Sequence, residues 1–259
     1  MTMYLHNNYN PGNYKMKKIS IILALFISIF ISQVQAQNID VMANIWPPYV
    51  DKALPGNGLA MKIVKESFAR SGYTMNLRLE KWEKALKGAE IGAYEVIGAL
   101  WKNKDRKQEL LYSQPYLKNN IVFLTRTDSN LEYNSLNDLH GVLVGILKDY
   151  AYDEQFMADA QILKFQANRL TENLIALEKG QLDLVVADKR LALYELKTFM
   201  GSNRNKFRFL PKHLTTRNLY IAVPKGSKNG KTIINKFNQG LAAIKKDGTY
   251  QKILESYMH

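Results

Sequence analysis

The chain has 259 residues, 36 Lys and Arg against 23 Asp and Glu, a formal net charge of +13 and no cysteine. A chain without cysteine has no disulfides, thiolate metal sites, Cys nucleophile or lipid-modified N-terminal Cys. The basic balance by itself would allow a nucleic-acid partner, but the lysines are scattered along the predicted helices instead of gathered in one patch, so a solvated surface and no nucleic-acid role are expected.

Met16-Lys17-Lys18 opens an apolar run over residues 19–32 that closes on Val34-Gln35-Ala36. A charged start, an apolar middle and a small-residue end are the layout of a secretory signal. Residues 1–36 are therefore expected to be an N-terminal extension plus signal peptide, with Met16 as the true start and cleavage after Ala36. The run is shorter than the roughly 20 apolar residues of a membrane span. A free periplasmic protein, not lipid-anchored, is the expectation.

The mature chain begins with a predicted strand at residues 40–45. A helix at 59–71 follows, with Leu59, Ile63, Val64 and Phe68 on its apolar face and Gly72 as its stop. Strand 75–79 and helix 82–89 come next, then a strand at 94–100 that ends where Trp101, Lys102, Lys104 and Arg106 begin. In open α/β sheets, binding chemistry gathers at such strand ends. Strands are predicted at 121–125 and 142–147, a helix start at 152–159 and a helix at 170–179. A strand at 219–223 can return beside 121–124. The C-terminal run reads as two amphipathic helices split at Asp247-Gly248.

An internal repeat bears on domain count. Gly92-Ala93-Tyr94-Glu95-Val96-Ile97-Gly98-Ala99 and Gly180-Gln181-Leu182-Asp183-Leu184-Val185-Val186-Ala187 each follow a helix that ends at Gly. Both then enter a short apolar strand past an acidic residue. Two such units imply two α/β lobes, and two crossings between them make a hinge.

Ser113-Gln114-Pro115-Tyr116, the strand after it, Trp46-Pro47-Pro48-Tyr49, Gly141 with Gly145, and Asp183 with Asp188 occur in a specific order. So does the C-terminal pattern Phe237-Asn238, Asp247-Gly248-Thr249-Tyr250 and Ile253-Leu254. Together they resemble bacterial extracytoplasmic solute-binding protein family 3, whose members deliver amino acids and similar solutes to ABC importers. The resemblance implies an α/β bilobal fold of the periplasmic-binding-protein type II kind, its lobes joined by two crossing hinge strands. Lobe 1 would comprise 37–124 and 218–259, and lobe 2 would comprise 125–217. It also implies a monomer without cofactor or catalytic activity, a small-molecule ligand in the interlobe cleft, and transient docking on an ABC permease in the inner membrane.

Site residues follow from the same resemblance. Arg106 precedes Ser113 by the spacing of the family's carboxylate-binding Arg, and a guanidinium presents the planar two-donor fork that a carboxylate matches. Asp188 ends the second strand of the repeat, where the family commonly holds a ligand amino group; the two would form a charge clamp. Trp46 and Trp82 fall where family members place rings around the ligand side chain, while Tyr116 is expected to be structural. Two departures stand out. Trp101 replaces a small hydroxyl residue, and Asp149-Tyr150-Ala151-Tyr152 replaces a Ser/Thr pair at a helix N-terminus. Trp101 and Tyr150 would narrow the cleft or favour a ring-bearing or non-standard ligand.

Other classes remain open at this level. His6, His140, His213 and His259 are far apart, and no H-E-x-x-H, phosphate loop or nucleophile elbow is present. A dehydratase-like enzyme using Asp188 with Arg106, or a sensing module presenting its ligand to a membrane receptor, would use the same residues.

Overall fold

The computed structural model describes residues 37–257 together with Met1 and Tyr4, so the expected extension and signal peptide lie outside the described residues. β1 (Gln37–Ala43) runs parallel to β2 (Tyr73–Leu79) and β3 (Val96–Trp101). Parallel neighbours need a crossover. Here α1 (Leu59–Ala69) connects β1 to β2, and α2 (Trp82–Glu90) connects β2 to β3. In the second half, β6 (Leu143–Leu147) is parallel to β7 (Leu163–Ala167) and β8 (Leu184–Asp188), with α4 (Glu154–Ala158) and α5 (Leu170–Glu178) as the crossovers.

Two long antiparallel strands join the halves. β5 (Leu117–Arg126) and β10 (Thr215–Pro224) pair with each other, β10 also pairs with β3, and β5 also pairs with β8. The continuous order is β2-β1-β3-β10-β5-β8-β6-β7, with β4 (Leu110–Tyr112) attached to β10 and β9 (Phe207–Phe209) attached to β5. Ile121 is the changeover residue: it faces Thr215 on one side and Asp188 on the other. This is a bilobal α/β fold with crossing strands, and the open ends of β3 and β8 lie on either side of the crossing.

Burial explains why these segments form these elements. β3 is buried along its whole length, as expected of a parallel strand covered on both faces. α1 buries Leu59, Ile63, Val64 and Phe68, each such side chain stabilising by about 1.5–3 kcal/mol when fully buried. It packs on α7 (Gly230–Lys246), which α8 (Thr249–Ser256) follows. Gly240 allows that contact: a Cβ there would lie 1.7 Å from the Ser67 carbonyl oxygen.

Two helices have no counterpart among the elements expected from sequence. After β3, Asn103 caps a short helix, α3 (Lys104–Glu109), by accepting from the Arg106 N–H at 2.8 Å. Beyond Asp188 the chain continues as α6 (Lys189–Phe199), which was not predicted. Its first residues, Lys189 and Arg190, interrupt the apolar pattern that would have revealed it.

Candidate functional site

The cleft has a sealed base and an open outer part. The base begins with the turn Trp46-Pro47-Pro48-Tyr49, which the start of α1 holds by donating from Leu59 N–H to the Pro48 carbonyl and from Ala60 N–H to the Tyr49 carbonyl, at 2.9 and 3.0 Å. Gly58 makes this approach possible. Its φ is +94°, and a Cβ there would stand 2.6 Å from the Tyr49 carbonyl oxygen. The turn aims the Tyr49 hydroxyl at Asp188 Oδ1, to which it donates at 2.6 Å. The Leu191 N–H donates to the same oxygen at 2.9 Å, and Asn119 Nδ2 donates to Oδ2 at 2.9 Å. Asn119 in turn accepts from the Trp101 indole N–H at 3.3 Å.

Asp188 is 0% exposed and caps α6. Burial pushes its carboxyl upward, and the Tyr49, Leu191 and Asn119 donors, with Arg190 nearby, oppose that shift. The same burial and the neighbouring carboxylate keep the Tyr49 hydroxyl protonated, far above its ordinary value. Asp188 therefore does not line the cavity, and the expected ammonium contact is corrected to a hinge contact: the carboxylate is fully buried and three of its roughly four acceptor positions are taken by the chain's own donors.

Above this base lie three rings, those of Trp46, Trp101 and Tyr150. Trp46 packs on Tyr49 at 4.5 Å between centroids, and edge-on against Trp101 and Tyr150 at 5.4 and 6.0 Å. Trp101 and Tyr150 meet edge-on at 5.2 Å. Such geometries suit the ring quadrupoles. Trp46, Trp101 and Tyr150 line the outer cavity, whereas Tyr49, Asn119 and Asp188 do not, so the rings separate the polar base from the open space.

That space is a cavity of about 420 Å³. Arg106 enters it from α3 with its guanidinium carbon 4.6 Å above the Trp82 ring, while one Nη donates to the Trp101 carbonyl at 3.2 Å. Partial burial lowers its pKa from the ordinary guanidinium value, and Asp105 and Asp149 act on it only at longer range. No carboxylate among the described residues lies within ion-pair distance of it. Lys102, immediately after the cleft strand, instead turns away to lie 4.0 Å over the Tyr220 ring.

The opposite wall belongs to the second lobe. α4 begins at Glu154, and its first N–H groups are taken by Asp153, which accepts from Gln155 and Phe156 at 3.0 and 3.2 Å. α4 therefore offers a carboxylate ligand no free N-terminus, whereas the head of α5, at Asn168, Arg169 and Leu170, lines the cavity without a side-chain cap, and Arg106 supplies a fork-shaped donor from the facing lobe. Glu195, from α6, faces the cavity and makes no hydrogen bond or ion pair among the described residues; burial raises its carboxyl pKa, and Arg169 partly offsets this. Of the six residues singled out from sequence, Arg106, Trp46, Trp82, Trp101 and Tyr150 line one cavity and Asp188 does not. Glu195 was missed, although it lies two helical turns beyond the Asp188 cap, in line with Leu191, which also lines the cavity.

Tyr116 is structural. It is buried, its hydroxyl donates to the Gly98 carbonyl at 2.8 Å, and its own carbonyl accepts from the Tyr250 hydroxyl at 2.7 Å.

Comparison with known proteins gives consistent results. ABC transporter arginine-binding protein 1 of Escherichia coli K12 is 26% identical over 185 residues, covering 70% of this chain and 68% of its own. A solved ancestral arginine-binding protein bound to arginine superposes with a TM-score of 0.71 at 22% identity, covering 87% of this chain and 100% of that one. A histidine kinase sensor domain with similarity to periplasmic binding proteins superposes at 0.72 and 19% identity, covering 86% and 97%. The family model of the bacterial extracellular solute-binding proteins, family 3, matches residues 39–259, and the chain belongs to that family.

Proposed function

We propose that this protein captures a small carboxylate-bearing solute, an amino acid or a close relative of one, between its lobes outside the cytoplasm and hands it to an ABC permease in the inner membrane. It acts as a monomer, without chemistry on the solute, after export by the signal at residues 16–36. Arg106 is the observation that carries this reading. A partly buried guanidinium with no carboxylate partner among the described residues, stacked on Trp82 and tethered by one bond to Trp101, has donors left for an incoming anion. The arginine-binding relative supports an amino-acid-like solute and an ABC importer.

The test is a thermal-shift screen of the purified exported protein against amino acids, their derivatives and small carboxylates, followed by calorimetry. A solute at about 100 times its Kd should stabilise the fold by roughly 2.7 kcal/mol. Arg106→Ala should then weaken binding of that solute by about 2–5 kcal/mol, since its carboxylate would be desolvated and unpaired. A screen with no stabiliser, or an Arg106→Ala variant that binds within about twofold of the parent, refutes the reading.

A further inference from the structure

We propose that Glu195 is the second charged contact of the cleft, and that the solute is a carboxylate carrying a separate cation, an amine or guanidinium, at its far end. This rests on Arg106 as the carboxylate-binding residue and deepens that reading. Of the five charged residues lining the cavity, Arg106 from α3 and Glu195 from α6 face each other from opposite lobes, and neither has an opposite charge within ion-pair distance among the described residues. A carboxylate that is partly withdrawn from water without a partner costs stability. A bound cation would offset that cost.

The neighbouring charges leave this role to Glu195. Arg169, the cation acting on it, is engaged with Glu172 at 3.2 Å. Lys148 and Asp149 also line the cavity, but Asp149, on the backbone turn that precedes Tyr150 with φ +63°, acts on Arg106 and so stands at the carboxylate end of the solute, not at its far end. Asp188, the other acid of the α6 head, already receives three donors, is 0% exposed and lies behind the rings of Trp46, Trp101 and Tyr150. An ammonium next to the carboxylate of the solute would therefore gain little from Asp188. A cation at the distal end would meet Glu195, and the indole faces along the way suit either a methylene stem or a guanidinium plane.

Three probes of one chain length separate these contacts by calorimetry: 5-guanidinopentanoate, L-arginine and pentanoate. The parent should bind the first two within about threefold of each other and pentanoate at least about tenfold more weakly. Glu195→Gln, which keeps the shape and removes the charge, should weaken both guanidinium probes by about tenfold or more, leave pentanoate within about twofold and leave the melting temperature within a few degrees. Pentanoate binding as tightly as 5-guanidinopentanoate to the parent, or guanidinium probes indifferent to Glu195→Gln, overturns the inference. If pentanoate binding is nevertheless lost in Arg106→Ala, the anion site survives on its own. L-arginine exceeding 5-guanidinopentanoate by about tenfold would restore an α-ammonium contact and overturn the exclusion of Asp188. A parent that binds none of the three overturns this inference, and the wider reading falls as well if no other carboxylate stabilises the protein.

Discussion

Asp188 and Glu195 stand at the head and the second turn of the same helix, yet their surroundings are opposite. Asp188 is fully buried and receives three donors; Glu195 faces a cavity and receives none among the described residues. A buried carboxylate persists only where its lone pairs are satisfied, so the base of the cleft is a structural joint between Tyr49 of the first lobe, Asn119 of the crossing strand and the α6 cap of the second. The outer cleft holds charges whose partners must come from elsewhere. Substitutions at the base should therefore be read in stability, and substitutions in the outer part in affinity.

Trp101 tests this division most severely, because it touches both parts. It lines the cavity, but it is 5% exposed, and its indole N–H donates to Asn119. Trp101→Ser should destabilise by about 3–5 kcal/mol in urea titration, the cost of truncating a buried ring, and it also leaves Asn119 without its donor. A variant that melts within a few degrees of the parent while changing which solutes bind would move Trp101 from the base to the recognition surface.

Asp188→Asn sharpens the same contrast with a smaller change. One carboxylate oxygen becomes an NH2 that must face a donor, either Asn119 or the pair Tyr49 and Leu191, so about 1–3 kcal/mol of stability should be lost. Glu195→Gln, measured alongside, should stay within about 0.5 kcal/mol of the parent. If the two variants lose equal stability, the base and the outer cleft are not distinct.

Much of this was legible in the sequence, and the failures have physical causes. The repeat around Glu95 and Asp183 and the turn motifs at Trp46 and Ser113 announced two lobes, crossing strands and the position of Arg106. What strand-end position could not reveal is whether the Asp188 carboxylate faces solvent, since its donors come from Tyr49 and Asn119, 139 and 69 residues away. α3 was invisible to periodicity because its six residues, KDRKQE, include no apolar side chain; the Asn103 cap was the available signal. β7 has only Ala167 buried, so its pattern is weak. Glu195 could have been found by counting helical turns from Asp188, had the start of α6 not carried two adjacent charges.

The smallest effect is expected where the lobes meet in solvent. Lys104 of α3 and Glu154 of α4 form an ion pair at 2.8 Å across the cleft mouth, with side chains 79% and 65% exposed. The pair raises the Lys104 pKa and lowers that of Glu154, Glu154 acting on the one and Lys104 on the other mainly through their hydrogen bond. Such exposed pairs gain little, because water competes for both groups and ordering two long side chains costs entropy. Closure should rest on the Trp46, Trp101 and Tyr150 contacts instead. Lys104→Ala should accordingly change solute affinity by less than about threefold, and the difference should shrink further as salt rises toward about 1 M, where the screening length falls to about 3 Å. An affinity loss of about tenfold that disappears in high salt would show that this pair latches the lobes, and would shift part of the closing energy from the rings to the cleft mouth.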